Sequence, residues 1–87
     1  MHPPHEETAI EKAPHAVLTA REQQVLNAVM RGELNREIAQ SLQISVKTVE
    51  YHRAALMRKA GARTAADLAA RVLSGRLRIV LNTPPVT

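Results

Sequence analysis

The sequence predicts an all-α domain of four short helices, and three observations carry that reading. TARE at 19–22 and TAAD at 64–67 have the hydroxyl-x-x-acid form that caps the start of a helix. Gly32, Gly61 and Gly75, all the glycines in the chain, each come within a few residues after the last apolar positions of a helical pattern, where a helix end favours a left-handed residue. Apolar side chains recur at intervals of three and four, and no strand pattern competes with them.

Residues 1–16 hold three prolines, three histidines and mostly small or acidic residues without apolar periodicity, so they read as a flexible N-terminal arm. The histidines of HPPH suggest a metal site on their own. No further ligands lie nearby, and disorder is the favoured reading. The first helix starts at Thr19 as N-cap, with Glu22 completing the box; Val25, Leu26, Val29 and Met30 form its buried stripe and Gly32 its end. The second runs from about Asn35 to Leu42 and buries Ile38, Ala39 and Leu42. Ser45 caps the third, which extends to about Ala60 before Gly61. Thr64 opens the fourth, carrying Leu68, Ala69, Val72 and Leu73, with Gly75 as its stop. Leu77, Val80 and Leu81 keep the same spacing, so either the helix continues or the tail packs back. The frayed end is NTPPVT. The predicted organisation is an arm at 1–16, a folded domain at 17–76 and a tail at 77–87.

Eighty-seven residues suffice for one small domain. The chain has no cysteine, which removes disulfides and cysteine-based zinc sites and fits a reducing compartment. No apolar run approaches 18 residues, and MHPPHEET is unlike a signal peptide, so a soluble cytoplasmic protein is expected. Net charge is +4, unevenly spread: −2 over residues 1–16, zero over 17–33, +4 over 34–63 and +2 over 64–87. A basic block of this kind suits a polyanion such as nucleic acid, although many basic faces are merely solvated.

That block contains SVKTVEYHRAALMRK, with Tyr51, the chain's one aromatic residue. At 100° per residue, Val46, Val49, Leu56, Met57 and Ala60 cluster on a core face. Tyr51 falls opposite, and Lys47, Ala54, Ala55 and Arg58 share its side. Exposed tyrosines are common, but one flanked by basic residues can enter a major groove. Arg53 lies within the apolar stripe and is expected to pair with Glu22 or Glu37, because an unpaired buried charge is costly.

Residues 35–54, NREIAQSLQISVKTVEYHRA, have the layout of a helix-turn-helix, with Ile38, Ala39, Leu42, Ile44 and Val49 where two short helices pack steeply. Gln43 occupies the turn, where glycine is common; a left-handed non-glycine residue costs roughly 1 kcal/mol. An ordinary pair of core helices is the plainer alternative. Taken together, LTAREQQVL, NREIAQSLQIS, KTVEYHRAALMRKAGART and AADLAARVL resemble the LuxR-type (GerE-like) DNA-binding domain. They most resemble the form at the C-terminus of FixJ- and NarL-like response regulators. The likeness covers about residues 17–74.

That resemblance implies a compact four-helix domain whose third helix enters the major groove of double-stranded DNA. It implies base contacts from Lys47, Glu50, Tyr51 and Ala54. Phosphate contacts are implied for Thr48, His52, Arg58 and Lys59, and for Asn35 and Arg36 at the start of the second helix. The fourth helix, through Leu68, Val72 and Leu73, is implied as the surface of a homodimer on DNA, with RNA polymerase a further candidate partner. The sequence departs from the family pattern at Glu33 and Leu34, at Ala60, and at Ala54, where some relatives carry a basic residue. No receiver or ligand-binding domain fits into residues 1–16, which suggests a stand-alone regulator or an excised domain.

Sequence-specific transcription regulation is the leading expectation. Region 4 of a sigma factor has a similar helix-turn-helix, but GARTAADL begins a fourth helix it usually lacks. A protein-interaction module that sequesters another regulator is the other alternative, motivated by the apolar tail Leu77, Ile79, Val80 and Leu81. No nucleophile elbow, phosphate loop or metal-ligand cluster is present, so neither an enzyme nor a cofactor or metal is expected. Glu22, Glu37 and His52 have simpler roles as cap, surface charge and phosphate contact.

Overall fold

The computed structural model describes residues 15–82, in the order β1 (His15–Leu18), α1 (Ala20–Met30), α2 (Asn35–Leu42), α3 (Val46–Ala60), α4 (Ala65–Leu73) and β2 (Arg78–Leu81). HPPH and the last residues of NTPPVT lie outside that range. The four helices stand at their expected positions, and the fold is all-α with a small strand pair added.

Each helix starts and stops for a local reason. Thr19 Oγ1 accepts the Glu22 amide at 3.1 Å while Glu22 Oε1 accepts the Thr19 amide at 3.0 Å, so the expected capping box is closed on both sides. Gly32, at φ +82°, reverses the chain after α1, and the Glu33 amide returns to the Ala28 carbonyl at 3.1 Å. In α2, Glu37 reaches back to accept the Leu34 amide at 2.7 Å. Ser45 caps α3, and Gly61, left-handed at φ 67°, ends it. Thr64 accepts the Asp67 amide at the start of α4, but Asp67 accepts the amide of Arg63 rather than that of Thr64.

Leu18, Val25, Ile38, Val49, Leu56 and Leu68 are the largest fully buried side chains. They come from five different elements, with α3 at the centre: it packs on α1, α2 and β1. Two positions of α3 differ from the expectation. Ala55, expected outward, is buried, because the covered arc of α3 is wider than one stripe. Val46, expected in the core, is exposed, because it begins the helix beyond the packed layer.

The strand pair is the larger departure. β1 and β2 run parallel, with Ala16 opposite Ile79 and Leu18 opposite Leu81, and the Asn82 amide continues the ladder to the Leu18 carbonyl at 2.8 Å. His15 and Ala16 therefore belong to the fold rather than to the arm, and the tail packs back instead of prolonging α4. Two strands alone are marginal in water. Here Ala16, Leu18 and Leu77 are buried in the helical core, which supplies the missing support.

Candidate nucleic-acid interface

The turn between α2 and α3 sets the angle at which α3 is displayed. Gln43 takes the left-handed conformation, φ 58° and ψ 44°, the only non-glycine residue with positive φ among those described. The Ile44 amide then closes onto the Ala39 carbonyl at 3.0 Å. Ser45 Oγ accepts the Thr48 amide at 3.0 Å and lies 2.8 Å from the Thr48 hydroxyl. The first turn of α3 is thus held by side chains at the end that leads the helix outward.

With Val49, Leu56 and Ala60 buried, the opposite side of α3 is open. Lys47, Glu50, Tyr51, Ala54 and Arg58 are all exposed and follow the spacing of a single helix face. Tyr51 is 71% exposed, and its ring meets that of His52 edge-on, centroids 5.5 Å apart. Arg36 is exposed at the start of α2. Val46 joins the leading edge of this surface. Its position at the first residue of the helix, ahead of the packed turn, was the signal for it.

Three polar side chains are used differently from the expectation. Arg53 is half-buried and donates from Nη1 to Asn35 Oδ1 at 3.1 Å, so it pairs with an amide and not with Glu22 or Glu37. The same bond takes up one oxygen of Asn35, joining the start of α2 to the middle of α3. Lys59 donates to Glu22 Oε1 at 2.6 Å and is drawn towards α1. Burial pushes the Glu22 carboxyl upwards, but the Lys59 ammonium and the Thr19 hydrogen bonds outweigh it and hold the group below its ordinary value. Glu22 is therefore a buried cross-link between helices as well as a cap.

The residues expected to form a dimer surface also divide. Leu68 is fully buried in the chain's own core and is unavailable to a second copy; it points inward because α4 has to cover α1. Val72 is half-buried against that core, while Leu73 is 78% exposed.

No pocket opens among the described residues, and no group of histidine and acidic side chains there could hold a metal ion. No helix among them is long and apolar enough to cross a membrane. The surface on offer is an exposed helix face with Lys47 and Arg58 towards its two ends.

Residues 16–72 match the family described as bacterial regulatory proteins, luxR family. The chain is 36% identical over 72 residues to the oxygen regulatory protein NreC of Staphylococcus aureus, covering 83% of this chain and 33% of NreC. It is 45% identical over 51 residues to the tetrathionate response regulatory protein TtrR of Salmonella typhimurium, covering 59% of this chain and 25% of TtrR. This chain thus spans about a third or less of the length of these relatives. No solved structure matches it.

Proposed function

The chain belongs to the luxR family of bacterial regulatory proteins, and from that premise we propose that it binds double-stranded DNA sequence-specifically and regulates transcription. The observation that carries this reading is the exposed face of α3, on which Tyr51 stands between Lys47 and Arg58, opposite the buried side of a capped helix-turn-helix. In the proposed complex α3 lies in the major groove. Lys47, Glu50, Tyr51 and Ala54 face base edges, and Val46 is placed to meet a thymine methyl. Arg36, Thr48, His52 and Arg58 take phosphates. Lys59 and Asn35 serve chiefly inside the domain, through Glu22 and Arg53. The compartment that goes with this reading is the bacterial cytoplasm.

A homodimer on a two-half-site operator is part of the proposal, with Leu73 and the outer edge of Val72 as its contacts. Sequestration of another regulator is the alternative, and part of the apolar tail that motivates it is spent within the fold. Leu77 is 5% exposed and Ile79 packs on the core, so half of the apolar tail is already covered.

Replacing Lys47 and Tyr51 by alanine tests base readout: cognate binding should weaken far more than binding to random duplex. Equal losses on both would overturn it. A shift titration at about 50 mM salt, where phosphate contacts are strong, separates the alternatives. Absence of any DNA binding there would favour sequestration.

A further inference from the structure

We propose that Glu50 is a specificity-determining residue that selects a cytosine in the operator; this rests on the reading that α3 lies in the major groove. Every other acidic side chain among the described residues has a partner. Glu22 accepts from Thr19 and Lys59, Glu33 from Arg31, Glu37 from the Leu34 amide, and Asp67 from the Arg63 amide and Arg71. Glu50 alone makes no hydrogen bond or ion pair among those residues, and it is exposed in the middle of the basic stripe.

Among its helical neighbours, Val46 and Ala54, four residues either side, carry no charge, and Arg53 three residues on is committed to Asn35. Lys47, three residues before it on the same face, is the one uncommitted cation in reach, and it forms no ion pair with Glu50. A carboxylate so placed opposes nonspecific docking, because it carries negative charge towards a polyanion. That repulsion is offset where a base offers it hydrogen.

On the major-groove edge the donors are the amino groups of cytosine and adenine. An ionised carboxylate only accepts. Adenine sets its N7 acceptor beside its amino group and so repels the second carboxylate oxygen, whereas cytosine has no such acceptor on its edge. Glutamine, which both donates and accepts, fits adenine instead.

Selection from random duplexes with the 87-residue chain, E50Q and E50A tests this. The unsubstituted chain should select cytosine at one position of each half-site. E50Q should move that preference to adenine, and E50A should lose it, with discrimination there falling about tenfold, while binding random duplex more tightly. Helical content and melting should be nearly unchanged, since the Glu50 side chain makes no hydrogen bond or ion pair among the described residues. Variants that keep the parent preference at every position, or weaken all duplexes alike, would overturn the role of Glu50 and leave DNA reading intact. A parent chain that selects no sequence would overturn the major-groove reading itself.

Discussion

Glu22 shows how much one side chain can carry beyond its sequence signature. Its place in TARE marks a cap, and the cap is there, but Lys59 lies 37 positions further along and no helical wheel connects the two. Because the folded carboxyl is held below its ordinary value, its stabilisation is whole above the usual carboxylate range. It is lost as pH falls through the depressed value. E22Q should lower stability by about 1–2 kcal/mol at neutral pH, towards the lower part of the range for charged hydrogen bonds because Lys59 is partly exposed. In thermal melts its acid-side decline should be shallower than the parent's; parallel declines would refute the assignment. Gln43 is the opposite case, legible from its position in the turn. Gln43→Gly should stabilise the fold by about 0.5 kcal/mol, read as a higher denaturation midpoint, once relief of the left-handed strain is set against the added freedom of the unfolded chain.

At the scale of elements, the boundaries follow from caps and glycines, and the facing of α3 follows from its surroundings. Ala54 and Ala55 are neighbours in sequence, yet one is exposed and the other buried. Ala54→Lys should leave melting nearly unchanged, strengthen binding to random duplex and steepen the salt dependence by about one unit. Ala55→Lys should fail to fold or melt far earlier, because it forces an unpaired charge into the packed layer. Circular dichroism melts of the two would decide the facing; equal tolerance would show that Ala55 is not covered in solution. The wheel misplaced Ala55 because it assumes one buried stripe, whereas α1, α2 and β1 all lie against this helix.

In the whole molecule, the two ends of the described chain meet. Leu77 enters the core and β2 lies beside β1, so the segment read as a tail is structural. Leu77→Ala should cost about 2–5 kcal/mol in urea unfolding, as other buried leucines do, and removal of residues 77–87 should cost at least as much. A truncated chain as stable as the parent would show that the strand pair contributes nothing. A faint sign of it was present in the β-branched pair Ile79–Val80, too short to outweigh helical spacing.

The sequence by itself determined the four helices, the turn between α2 and α3, the family and the outward course of Lys47, Tyr51 and Arg58. These rest on backbone sterics, capping and periodicity, which act over a few residues. Tertiary structure alone decided that Lys59 turns to Glu22, that Arg53 takes Asn35 and that Leu68 is spent on the core. It also decided that the two ends of the described residues pair as strands. Each of these depends on which distant side chain lies within hydrogen-bonding or packing distance, and only the packed chain brings such pairs together.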